Sequence, residues 1–100
     1  MNDARYPWLI LVPRITGLRE FHDVPREQRA SLYDEIDLVS QALLHVCNPY
    51  KLNVAALGNQ VPQLHIHVIA RQKDDPAWPG PVWGVGSAQA YSTASKATLL

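Results

Sequence analysis

The sequence predicts an α+β fold in which an antiparallel sheet packs against one main helix, and three features of the chain predict it. The first is a short apolar run fenced by prolines, Pro7-Trp8-Leu9-Ile10-Leu11-Val12-Pro13. The second is a long stretch with helical periodicity. The third is a pair of β-rich runs, the latter alternating strictly between polar and apolar side chains, joined by a bridge that contains glycine. With 100 residues, the expectation is one domain over 1–100.

The Pro7–Pro13 run is β-branched and aromatic, and proline at both ends disfavours a helix, so it reads as a strand covered on both faces. From Ile15 to Val24 the chain mixes Thr16, Gly17, Arg19, Glu20, His22 and Asp23, and reads as a connection. Pro25 suits the first turn of a helix, with Asp23 or Val24 as its cap. Beyond it Leu32, Ile36, Val39, Leu43 and Val46 recur at steps of four and three. They form one face of a helix over roughly 25–47, while Arg29, Asp34, Glu35, Asp37 and Gln41 fall mostly elsewhere. Asn48-Pro49 ends it.

Lys51–Leu57 is a second strand by composition. Gly58-Asn59-Gln60-Val61-Pro62 reads as a turn, and Gln63–Ile69 as a third strand, so the two strands form an antiparallel hairpin. The prolines and glycines between Asp74 and Gly84 exclude regular structure there. Trp78 and Trp83 in that segment call for packing, on their own subunit or on a partner; the residues leave both open. A short helix capped by Ser92 is expected in the tail, Ser92–Leu100.

Composition narrows the function. Hydrophobic residues make up 47% of the chain and the formal net charge is zero, which fits a globular core and argues against an extended nucleic-acid or anionic-membrane footprint. Anion binding has to be local, made by backbone or neutral donors. Cys47 is the single cysteine, so no internal disulfide can form. Its place in the periodic apolar run indicates packing, and a cytoplasmic setting is expected. No apolar stretch approaches the roughly 20 residues that span a bilayer, and Met1-Asn2-Asp3-Ala4-Arg5 has no secretory signature.

Chemistry concentrates on the third strand. Side chains two apart share a strand face, so Gln63, His65 and His67 are expected to project together, with Leu64, Ile66 and Val68 packed beneath. Histidine titrates near neutrality and serves as base, acid, nucleophile or ligand. The spacing also suits ordinary polar surface. A metal site is a third reading, but it needs another ligand from His22, His45, Asp74 or Asp75, none of them placed by a local motif. Asn53, Gly58, Asn59 and Gln60 shift the balance, because neutral amides and a glycine turn can converge N–H groups on phosphate oxygens.

Gln63-Leu64-His65-Ile66-His67-Val68-Ile69 resembles the signature of the histidine-triad (HIT) family, three histidines alternating with apolar residues, at six of its seven positions. The resemblance extends upstream through Asn53–Gln60, the intervening helix and the Trp8–Arg14 strand, and covers roughly residues 1–72. It implies a HIT-like fold without metal or cofactor, and hydrolysis or transfer at a nucleoside phosphate, purine nucleotides foremost. By the same resemblance His65 attacks the α-phosphorus to form a covalent nucleotidyl-histidine, and His67 donates a hydrogen bond to the phosphate. Asn53, Gly58 and Gln60 match phosphate-binding positions, Asn2 or Asp3 the ribose-binding one, and a homodimer is implied.

Two departures stand out. Gln63 replaces the first histidine and cannot act as an acid, which slows the chemical step by roughly 10²-fold or more unless the leaving group is acidic or another acid steps in. A nucleotide-binding module with weak or no turnover is therefore the alternative. The family also has strand material ahead of the Pro7–Pro13 run, so a domain lacking an N-terminal strand region is expected.

Overall fold

The computed structural model describes residues 5–84; the tail helix expected at Ser92–Leu100 and the ribose-binding candidates Asn2 and Asp3 lie outside them. The elements in chain order are β1 (Trp8–Leu11), α1 (Arg29–Cys47), β2 (Lys51–Ala55) and β3 (Ile66–Arg71). Single 3₁₀ turns at Phe21–Asp23 and Arg26–Gln28 precede α1. The three strands form an antiparallel sheet in the order β1-β3-β2, so the expected hairpin of β2 and β3 is present and β1 adds to its far side.

β3 is buried along its whole length, as a central strand between two partners and under cover on both faces has to be. On one face Ile66 and Val68 meet Leu9, Leu11 and Leu52, and α1 closes over them with Leu32, Ile36, Val39 and Leu43. On the other, Ile69 packs with Tyr6, Trp8 and Val82, with Ile10, Ala77 and Trp83 around them. β1 is thus covered on both faces, as its apolar run required. It is shorter than that run, because Val12 already lies 57% exposed.

α1 differs from the sequence reading at both ends. Pro25 has extended backbone (ψ 137°), and the α-helix proper starts at Arg29 after a 3₁₀ turn. Asp23 does not cap it. Asp23 Oδ2 instead accepts from the backbone N–H groups of Arg19 and Glu20 (3.2 and 3.0 Å) and folds the preceding loop on itself. At the C-terminus Asn48 takes the left-handed conformation (φ 45°), tolerable for its short polar side chain, and donates its N–H to Leu44 O. Val46, counted in the apolar stripe, is 52% exposed. Cys47, four residues after Leu43, packs on the core in its place, and burial pushes its thiol pKa up. No helix among the described residues is long and apolar enough to cross a membrane.

β3 also starts later than the alternation suggests, at Ile66 rather than Gln63. The Leu64 N–H is taken by Leu18 O of the loop before α1 (2.7 Å), and the Gln63 side-chain amide donates to Ile15 O (3.2 Å). These bonds pull 63–64 away from β2, so the β2–β3 connection runs from Ala56 to His65. The alternation nevertheless holds through it: Leu64 is buried with Leu18, Ile66 and Val68.

Truncating β3 tests this core. Ile66→Ala, at a fully buried position, should lower stability by about 2–5 kcal/mol. Leu38→Ala, at a helix position 71% exposed, should stay within about 0.5 kcal/mol of the parent in urea unfolding.

Candidate functional site

The two histidines sit where β3 emerges from its preceding loop. His65 is the last residue before the strand and is half-buried, while His67 lies within it, 5% exposed. Their rings meet edge to face, with centroids 5.0 Å apart. Together with Leu57, Gly58, Asn59, Gln60, Val61 and Trp83 they wall a hollow of about 370 Å³. Gly58 lies at φ +74°, a backbone state that L side chains rarely adopt, which lets the 58–61 turn bend over the imidazoles. A larger hollow of about 530 Å³ lies elsewhere, between the end of β1 and the start of α1, and contains neither histidine.

Each ring is oriented by a different partner. His65 Nδ1 lies 2.7 Å from the Gln63 carbonyl oxygen. A carbonyl only accepts, so in this contact Nδ1 carries the hydrogen, and the neutral ring keeps its lone pair on Nε2. His67 is the reverse case. Trp8 Nε1–H donates to His67 Nδ1 at 2.9 Å, and indole N–H is a donor only. The hydrogen of a neutral His67 therefore resides on Nε2. Burial, followed by the neighbouring His65 ring, pushes the His67 pKa below the ordinary histidine value. Trp83 packs at right angles on both Trp8 and His67, centroids 5.4 and 5.1 Å away, and closes this side of the site.

The segment carrying Trp83 is anchored by Arg71, at the far end of β3 and only 1% exposed. Its guanidinium donates from Nε and Nη2 to the two carboxylate oxygens of Asp75 (2.7 and 2.9 Å), from Nη1 to Asn53 Oδ1 (2.7 Å) and from Nη2 to Gly80 O (2.8 Å). Asp75 also accepts from the backbone N–H groups of Gln72, Ala77 and Trp78. The hydrogen bonds from Arg71 lead the forces that hold its carboxyl pKa below the usual range. Both tryptophans thus pack within their own chain, Trp78 against Tyr50 and Trp83 against His67.

Of the residues singled out from the sequence, His65, His67, Gly58 and Gln60 come together around one hollow. Gln63 and Asn53 do not line it. The Gln63 carboxamide is turned to Ile15 O, and Gln63 meets the site through its backbone carbonyl. Asn53 shares the sheet face of His67, but its oxygen is committed to Arg71. No group of three His, Cys, Asp or Glu side chains is gathered for a metal ion among the described residues. Trp8 and Arg71 escaped the sequence reading as site residues, while Asp75 entered it only as a metal-ligand candidate and Trp83 only as a residue in need of packing; the structure gives them to Arg71 and His67. Trp8 pairs with Ile69 and Ile10 with His67, so Trp8 reaches His67 only as a diagonal cross-strand neighbour, which requires the register.

Two imidazoles beside a glycine turn and a hollow make up the site, and comparisons with known proteins give the family of the chain that carries it. The HIT domain model matches residues 1–74. A histidine triad protein from Sinorhizobium meliloti 1021 is 46% identical, with a TM-score of 0.94 over 98% of this chain and 73% of that one. One from Marinobacter aquaeolei VT8 is 47% identical, with a TM-score of 0.93 over 99% of this chain and 72% of that one. A third, from Bradyrhizobium japonicum, is 48% identical, with a TM-score of 0.94 over 99% and 77%. No curated protein matches the chain significantly. The chain belongs to the HIT domain family, whose members are generally nucleotide hydrolases or transferases.

Asp75→Asn leaves a buried guanidinium without its countercharge and should cost about 3–5 kcal/mol at pH 7. Because the folded-state carboxyl titrates below its unfolded value, the pair's contribution is whole above about pH 4 and is lost as the pH falls through the depressed value. Urea unfolding at pH 7 and pH 3 should show a shallower acid loss in the variant than in the parent.

Proposed function

We propose that this protein hydrolyses or transfers a nucleoside phosphate, a purine nucleotide derivative foremost, through a covalent nucleotidyl intermediate on His65. The observation that carries the reading is the bond from His65 Nδ1–H to the Gln63 carbonyl, which leaves a lone pair on Nε2 of a ring that borders an anion-sized hollow. In-line attack by that nitrogen on the α-phosphorus splits one difficult displacement into two. As Nε2 bonds to phosphorus the imidazole gains positive charge, and the Gln63 carbonyl at Nδ1 stabilises it.

His67 serves as a neutral N–H donor to a phosphate oxygen, held in that form by Trp8. The turn at Gly58–Gln60 supplies backbone N–H groups and the Gln60 amide to the same anion. Asn53 acts at one remove, bracing Arg71 and with it the wall that carries Trp83. Asn2 or Asp3 is proposed to meet the ribose. A two-fold dimer in the cytoplasm completes the reading; the family resemblance supports the dimer and the single cysteine the compartment.

Intact-mass measurement after brief, acid-free quenching with a nucleotide substrate tests this directly. The parent should gain the mass of one nucleoside monophosphate, and His65→Ala should show no adduct and lose roughly 10³-fold or more in kcat. His67→Asn, which keeps a neutral donor in altered geometry, should lose roughly 10²-fold. Nucleotide binding with neither adduct nor product would establish a binding module in place of an enzyme.

A further inference from the structure

We infer that Gln63 is a positioning residue for the nucleophile: together with the loop 15–18 it braces the peptide unit whose carbonyl orients His65. The inference rests on the nucleotidyl-transfer reading above and adds to it the parts of the chain that aim the attacking nitrogen.

The carbonyl that meets His65 lies where the sheet cannot hold it. β3 begins at Ile66, and its pairing runs from Ile66 against β1 and from His67 against β2. The peptide unit joining Gln63 to Leu64 stands outside that ladder, yet its oxygen lies 2.7 Å from His65 Nδ1. The C=O and N–H of a trans peptide share one rigid plane and point opposite ways. Here the oxygen meets His65, while the N–H on the opposite edge donates to Leu18 O at 2.7 Å. One such bond leaves the unit free to tilt. A second attachment comes from the other side of the carbonyl, where the Gln63 side-chain amide donates to Ile15 O at 3.2 Å.

Both acceptors belong to a loop that is itself held. The Leu18 side chain is 6% exposed and packs with Leu64 in the core, and Ile15 packs against the same cluster. Gly17 turns the chain between them at φ +84°. The tautomer of a neutral imidazole follows the partners of its ring nitrogens. A free histidine ring favours the Nε2–H form, in which Nε2 has no lone pair to attack with. An acceptor held at Nδ1 reverses that preference. Gln63 does not line the hollow, so it acts through His65.

Gln63→Met keeps the length and volume of the side chain and removes its donor. Long-range ¹H–¹⁵N correlation near neutral pH should show His65 as the Nδ1–H tautomer in the parent and as a mixture with the Nε2–H form in the variant. With adenosine 5′-(4-nitrophenyl phosphate), kcat should fall by roughly 10–10²-fold, the scale of a misaligned attacking group, with KM within about threefold of the parent's. A His65 ring unchanged by the substitution would overturn the inference whatever the kinetics. So would a kcat within about twofold of the parent's, or a rise in KM with kcat held, the mark of a residue that binds substrate.

Gly17→Ala disturbs the brace from the loop side. Its added methyl meets no atom within 4 Å, so only the φ of +84° resists it. The same spectrum should show a smaller shift of His65 in the same sense. If Gln63→Met does not fold, this variant decides, and an unmoved ring sinks the brace. A parent that forms neither adduct nor product would remove the nucleotidyl-transfer reading; the tautomer comparison, which needs no turnover, would still decide whether Gln63 orients His65.

Discussion

A guanidinium buried to 1% exposure cannot be left without countercharge, and much of one side of this molecule is arranged around meeting that requirement for Arg71. Asp75 supplies a bidentate carboxylate, β2 offers Asn53, and the chain beyond β3 doubles back to present the Gly80 carbonyl. Isolated burial of either charge would be costly, but the guanidinium fork makes four hydrogen bonds. The consequence reaches past stability. By tying a proline-rich segment without regular structure to the end of the central strand, the pair sets Val82 into the second core and Trp83 against His67.

The two imidazoles show how the same side chain can be given opposite chemistry within three residues. One meets an acceptor at Nδ1 and turns a lone pair outward; the other meets a donor at Nδ1 and turns a hydrogen outward. Under the proposed function the first would be the nucleophile and the second the donor, since attack on phosphorus and charge stabilisation have to be delivered together. Neither orientation depends on a carboxylate. Backbone geometry sets the first, and an indole from the neighbouring strand sets the second. The site is therefore electrically quiet, in keeping with the zero net charge of the whole chain.

Much of this was legible in the chain itself. The helix followed from Leu32, Ile36, Val39 and Leu43, because a 3.6-residue period has one physical solution. The hairpin and the pairing of His65 with His67 followed from a two-residue period. The errors came where a residue's own preference was outvoted by a distant backbone group. Gln63 and Leu64 alternate like strand residues, yet Ile15 and Leu18 claim their donors. Asp23 looks like a helix cap, but nearer backbone N–H groups at Arg19 and Glu20 take its carboxylate.

The sequence by itself determined which residues are apolar at which period, hence the elements and the imidazole pair on one face, and the motif determined the family. Only the tertiary structure decided what each imidazole is. Hydrogen-bond character depends on the partner across space, and the partners of these rings, the turned carbonyl of Gln63 and the diagonal Trp8, come from strand register and chain reversal. Neither is written in local spacing.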